Sequence, residues 1–408
     1  MTKLLDSIKI NIHCILLFIV LAFNINFFYL LDNDVFHLKD LNIVIILVWV
    51  LTFLVSSRFK INKKILINFS ILFGGCILLA ITSSIQSYML YSQNFILGFR
   101  AQRLWIFYPM VYFILHSLLL RKKICIQQIV KVLYLFCFIE LFIGFLQFLV
   151  YKHIDFTNVM TTNRYEDYRF YFNDEILNLM LIYSFIEYIR GKNKIFNLTY
   201  IFLVLLFHLF ITKGRMSFIT LLMTLFLILF VFSKISMNKK SKLMFFFFLI
   251  FLAIFFTPMG KDIINVIFGV SENTTASIRE QGRQFYIETI KKYPLLGGGY
   301  INTLWAPAFE GANMDQGIFI VDNGVFGFMF EYGLLGLFFL LLFYIFLIKK
   351  AAYVYKQTNN SFFIGYIIFS ILGLYTLMKM GTTSSLETPI FMTLICYSFG
   401  KVRGKEYA

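Results

Sequence analysis

The sequence predicts an all-α, polytopic membrane protein of about twelve transmembrane helices, with one large extracytoplasmic loop before the tenth. Three observations carry that reading. Of the 408 residues, 60% are hydrophobic, 20% are aromatic and only 14% are charged; a soluble domain would need more polar surface, and its core could not absorb 53 phenylalanines. Apolar runs long enough to cross about 30 Å of hydrocarbon recur from near the N-terminus to "TPIFMTLICYSFG" near the C-terminus. Basic residues, finally, crowd into alternate connections.

The apolar segments lie at roughly 11–31, 41–57, 65–84, 104–120, 129–151, 173–189, 195–211, 218–233, 243–257, 324–348, 362–378 and 386–400. The first run has no small-residue cleavage site and is followed by many more spans, so it is retained and not removed as a signal peptide. Lys63 and Lys64, Arg121 to Lys123, Lys239 and Lys240, Lys349 and Lys350, and Lys401 with Arg403 belong to connections of one side. The connections between them hold most of the acids, including Asp32, Asp155, Glu166, Glu310 and Asp315. By the positive-inside tendency, both termini are cytoplasmic and residues 1–408 form a single membrane domain. The net charge of +16 is therefore read as loops that orient spans, and no nucleic-acid partner is expected. Five scattered cysteines show neither a disulfide framework nor a metal-ligand spacing, and no cofactor is expected.

Residues 258–323 form the longest polar connection, and it falls on the extracytoplasmic side. Connections longer than about 15 residues are uncommon unless they have a task. Within it, "IREQGRQFYIETIKKYPLLGGGY" predicts a helix over about 277–292, with Arg279 and Arg283 on one face, Lys291 and Lys292 in the last turn, and Pro294 preventing continuation. The same bases also suit lipid head groups at an interface. The glycine run Gly297 to Gly299 permits positive φ and lets backbone amides such as those of Gly298 and Gly299 approach a ligand oxygen. It lacks the lysine and spacing of a nucleotide-binding loop.

Other bases approach the same side. Arg100 and Arg103 precede the fourth span, Arg164 and Arg169 lie in "TTNRYEDYRFYFND", and Lys213 and Arg215 form the short turn "TKGRMS". Two bases in a turn that the positive-inside tendency should keep poor in them point to function or to pairing with acids. A lipid diphosphate fits the set, because arginine binds its oxygens in bidentate fashion. Asp322 and Asn323 stand at the mouth of the span that begins near Gly324, with Glu331 deeper in it. An aspartate there serves as a helix cap, as a base, or as both. Tyr300, with Tyr286, Tyr293 and Trp305, can stack on sugar faces or sit at the lipid interface.

Three of these segments, "FITKGRMSFITLLM", "RQFYIETIKKYPLLGGGY" and "DNGVFGFMFEYGLLG", resemble motifs of the O-antigen ligase and polymerase family, over about residues 195–348. The resemblance implies a bacterial inner-membrane glycosyltransferase that uses a glycan on undecaprenyl diphosphate, without metal, and acts on the extracytoplasmic side. It further implies that Arg215 and Arg283 hold the donor diphosphate; Lys213, Arg279, Arg100, Arg103, Arg164, Gly298, Gly299, Asn323 and Tyr300 are the substrate-binding candidates read from the residues themselves. Asp322 occupies the position where ligases have a histidine, which favours a repeat-unit polymerase over a ligase. Chain-length regulators and flippases are the partner proteins implied. A lipid-linked oligosaccharide flippase is the competing class; it should show two related halves, and residues 1–200 and 201–408 share no repeat.

Overall fold

The fold was analysed in a computed structural model that describes residues 11–404 apart from 59–60, 165–166, 234–235, 239, 242–244, 246–274, 317 and 375–384. Among the described residues the protein is all-α apart from one small hairpin. Helices run in the order α1 (Ile12–Asn24), α2 (Leu38–Ser56), α3 (Lys63–Tyr91), α4 (Phe95–Ala101), α5 (Arg103–Phe107), α6 (Pro109–Leu120) and α7 (Ile126–Val150). After β1 (Thr161–Arg164) and β2 (Asp167–Phe170) come α8 (Glu175–Ile189), α9 (Lys194–Leu206), α10 (Arg215–Leu227), α11 (Thr275–Lys292), α12 (Ala306–Gly311), α13 (Gly324–Thr358), α14 (Phe362–Gly373) and α15 (Glu387–Arg403).

Among the described residues six helical stretches are long and apolar enough to cross a membrane: Leu38–Ser56, Lys63–Tyr91, Arg103–Leu120, Ile126–Val150, Lys194–Thr212 and Ile320–Thr358. Shorter apolar helices lie at Ile12–Asn24, Met216–Phe232 and Phe362–Gly373. The expected span at 173–189 is the 15-residue α8, and that at 386–400 is the 17-residue α15. The expected span at 243–257, apart from Phe245, and residues 258–274 lie outside the described residues.

Polar residues set the helix ends. Asn11, Asn62 and Asn94 each accept a hydrogen bond from the backbone amide two residues on, at the starts of α1, α3 and α4. Pro109 starts α6, where its missing N–H costs nothing. The first run was expected to stay helical to 31, yet α1 stops at Asn24 because Asn26 to Tyr29 adopt left-handed φ values of 52° to 62°. Each such residue costs about 1–2 kcal/mol. The turn is held by the Asn158 amide on the Tyr29 carbonyl at 2.7 Å, the Asn173 amide on the Tyr29 hydroxyl, and Phe28 packed on Phe136. The hairpin corrects the purely helical expectation: Thr161 pairs with Phe170 and Arg164 with Asp167, in a stretch of β-branched and aromatic residues.

Contacts at the ends of α13 fix the sense of the bundle. The Tyr355 hydroxyl donates to the Phe232 carbonyl, and Gly365 lies against Ile228, so the C-terminal end of the α10 stretch shares an end with the C-terminus of α13 and the start of α14. The Val325 amide donates to the Leu374 carbonyl at 2.6 Å at the other end. The start of α10, the start of α13 and the end of α14 therefore share one face, called here the mouth.

At the mouth α13 is broken. Gly333 has φ 62° and ψ −159°, which interrupts the helical ladder. The chain segment after α11 fills the gap: Leu334 and Leu335 amides donate to the carbonyls of Pro294 (2.9 Å) and Leu295 (3.2 Å), while the Gly298 amide donates to the Phe330 carbonyl (2.6 Å). On its other side the segment lies on α3, with the Tyr300 amide on the Ser83 carbonyl and Gln86 Nε2 on the Gly297 carbonyl at 3.0 Å. Gln93 extends the seam by donating to the Tyr300 carbonyl and accepting from the Asn302 amide. A second small core, formed by Tyr286, Ile301, Ala308, Ala312, Ile318, Ile320 and Phe330, sits over this junction as a cap.

A Cβ at Gly333 would meet the Leu295 carbonyl and one at Gly297 the Phe330 carbonyl, and both residues have positive φ. Gly333→Ala and Gly297→Ala should each weaken cap docking by about 1–3 kcal/mol. The measurement is limited proteolysis of the purified protein, with cleavage between 293 and 305 rising severalfold over wild type.

Candidate functional site at the mouth

The described part of α11 runs from Thr275 to Lys292 and covers the expected helix, with Lys291 and Lys292 in its last turn. Its spacing places Arg279, Gly282, Arg283 and Tyr286 on one stripe. Gly282 brings the helix onto the turn before α13: a Cβ there would lie 2.7 Å from Ile318 Cγ2 and 3.0 Å from Asn323 Nδ2. Tyr286 is fully buried in the cap core against Phe330, with ring centroids 4.7 Å apart. Burial pushes its phenol pKa upward, with the carboxylates of Glu331 and Asp322 adding to the effect.

The close approach at Gly282 puts Arg279 beside Asp322, Nη2 to Oδ2 3.6 Å, with the arginine largely covered and the aspartate about half exposed. Arg283 is buried and donates from Nη1 to Glu280 Oε2 at 2.9 Å on its own helix. Asn323 is buried and donates to the Phe319 carbonyl at 3.0 Å. Asp322 lies in the 3₁₀ turn Ile320–Asn323, while Asn323, the residue at the cap position of α13, makes no side-chain cap bond. The aspartate's carboxylate is turned to a guanidinium.

A second group surrounds the turn between α9 and α10. Lys213 is buried with φ 46°, and Arg215 opens α10 at the mouth. Arg169, on the hairpin, donates from Nε to the Thr212 carbonyl at 2.9 Å and lies over the Tyr171 ring at 4.2 Å. Arg164 ends β1 opposite Asp167.

A third group lies at the start of α2. Arg103 is hydrogen-bonded through Nε to Asp40, and Arg100 Nη2 is 3.6 Å from the same carboxylate. These two bases thus tie α4 and α5 to the first turn of α2, a partner that the sequence reading did not assign them. Gly298 donates its amide to Phe330, and a Cβ on Gly299 would lie 2.5 Å from the Ser87 amide nitrogen, so the glycine run meets protein backbone on two sides. Tyr300 has its ring 6.4 Å from that of Tyr332.

Several residues of the site escaped the sequence reading. Asp40, Glu280 and Gly282 gave no local signal, because their importance comes from a partner distant in the chain or from a close approach. His208 and Asp174, which face the 212–217 turn, are found in the same way only by packing.

Chemically, the mouth offers guanidinium and ammonium groups for oxyanions and a carboxylate that can take a proton. Among the described residues no group of three His, Cys, Asp or Glu side chains is placed to hold a metal ion. A search of curated proteins finds no match. Residues 200–341, which include the Lys213–Arg215 turn, α11, the glycine run and the start of α13, match the family model described as O-antigen ligase (Wzy_C). The protein is thus a multi-pass membrane protein that carries, over those residues, a domain of the O-antigen ligase family, whose theme is the handling of glycans at a membrane.

Proposed function

We propose that the protein is a polymerase of undecaprenyl-diphosphate-linked oligosaccharide repeat units, with about twelve spans, cytoplasmic termini and its mouth on the extracytoplasmic side of a bacterial inner membrane. The supporting orientation signal is charge: Lys350 and Arg403 gather around Phe399 at the end of the bundle opposite the mouth. The observation that carries the chemistry is the Arg279–Asp322 pair at the start of α13, on the same face as the Lys213–Gly214–Arg215 turn.

In this reading the donor arrives laterally with its tail in the bilayer. Arg215 and Arg283 hold the diphosphate, with Lys213 and Arg279 adding positive charge. Drawing Arg279 toward a phosphate opens the Asp322 carboxylate to an acceptor hydroxyl. An acceptor sugar hydroxyl then attacks C1 of the donor glycan. The new C–O bond forms as the C1–O bond to the diphosphate breaks; the hydroxyl proton passes to Asp322, and the leaving diphosphate keeps the electron pair, its charge matched by the arginines. For a polymerase the acceptor is a second lipid-linked repeat unit. The description of the matched family favours the alternative of a ligase with a different final acceptor, whereas aspartate at 322 favours the polymerase.

Arg283→Ala and Arg215→Ala should each lower polymer formation at least a hundredfold while the protein remains in the membrane, as measured by gel analysis of glycan made from lipid-linked repeats. Wild-type chain lengths in both would remove their assigned roles. Asp322→Asn keeps the shape of the side chain while removing its charge and its capacity to take a proton: turnover should fall about a hundredfold with donor affinity changed less than threefold, and full turnover would leave Asp322 structural. In cells lacking the protein, single repeats on their final anchor indicate a polymerase, long lipid-linked chains a ligase, and repeats held on the cytoplasmic leaflet a flippase.

A further inference from the structure

The segment "HLFITKGRMS" puts a histidine one turn before the two-base turn, at the end of a predominantly apolar helix. His208 is completely buried, so its ring nitrogens must be satisfied by protein. Nε2 lies 2.9 Å from Asn178 Oδ1 on α8, and Nδ1 lies 3.3 Å from the Thr212 hydroxyl and 3.8 Å from Asp174 Oδ2. With Nε2–H donating to Asn178, Nδ1 accepts from Thr212. Asp174 holds the cap position of α8 yet makes no side-chain cap bond there; its Oδ2 instead accepts from the Ser217 hydroxyl, in the first turn of α10, at 2.9 Å.

These contacts surround a backbone in unusual form. The end of α9 widens into a π-helical turn over Phe207–Thr212, in which the Lys213 amide donates to the His208 carbonyl at 3.0 Å. Lys213 then takes a left-handed conformation that costs a non-glycine residue about 1–2 kcal/mol. Such a conformation persists only where its surroundings determine it, and such turns cluster at ligand sites. Here the surroundings are His208 and Asp174 below, Ser217 on the next helix, and Arg169 of the hairpin on the Thr212 carbonyl. An ordinary α-helical end would release Lys213 from this position and turn the start of α10 away from it.

We propose that His208, Asn178 and Asp174 are positioning residues that set the Lys213–Gly214–Arg215 turn for a lipid diphosphate. The proposal rests on the reading of that turn as part of the donor site. They do not touch the reacting atoms; they act through the backbone of 212–215 and the Ser217 hydroxyl.

The test is binding of undecaprenyl diphosphate without sugar to purified protein in nanodiscs, beside undecaprenyl monophosphate and a thermal unfolding curve. Wild type should prefer the diphosphate. His208→Leu should weaken diphosphate binding at least tenfold with monophosphate binding changed less than twofold, and Ser217→Ala should weaken it about threefold. His208→Asn, which places an amide where Nδ1 stands, and His208→Gln, which places one where Nε2 stands, should each recover part of the diphosphate binding lost in His208→Leu. A purely structural role would lower the unfolding temperature and leave the preference for diphosphate intact. Wild type that does not distinguish the two lipids overturns the donor reading itself. Wild type that does, with His208→Leu and Ser217→Ala binding as well as it does, overturns the positioning role alone. If His208→Leu fails to accumulate, unaltered binding by Ser217→Ala overturns it.

Discussion

The break in α13 at Gly333 is the constraint on which the mouth depends. Within a bilayer an unpaired backbone amide or carbonyl costs several kcal/mol, so a helix can be interrupted there only if another segment supplies partners. Residues 294–298 do so, accepting from Leu334 and Leu335 and donating to Phe330. The connection after α11 is therefore part of the bundle, and the polar face of α3, through Ser83 and Gln86, completes its surroundings. Because that segment is fixed, α11 is fixed too, and with it the side chains of Arg279 and Arg283.

The glycines follow from the same constraint. Backbone must lie against backbone at Gly297, Gly299 and Gly333, where any side chain would strike a carbonyl or an amide. Gly282 plays the corresponding part between α11 and the turn at 320–323. Small residues thus decide how near the charged groups come to one another, and the charged groups decide the chemistry. The Arg279–Asp322 pair illustrates this: the ionic contact exists because one helix can approach another without a Cβ between them.

Much of the architecture was legible in the sequence. Composition and run length announce the six long apolar helices among the described residues, and Pro294 with Lys291 and Lys292 announces the end of α11, since these signals are local. Pairing is not local. Arg100 and Arg103 read as bases free for a ligand, yet Asp40, some sixty residues away in the chain, takes both. The run "PLLGGG" reads as a ligand cradle because positive φ and open amides suit one, and packing against a broken helix needs the same properties. The π-helical end of α9 left no trace in a stretch that is apolar on all sides, where periodicity carries no information.

The cap also has a place in time. Residues 294–302 leave the ribosome before α13, so the carbonyls of Pro294 and Leu295 lack their α13 partners until the later helix has entered the membrane and opened at Gly333. The polar face of α3, made much earlier, must wait as well. The mouth of the bundle is accordingly among the last parts to assemble, and a chain halted before α13 would hold its earlier helices in the bilayer with the cap unsupported.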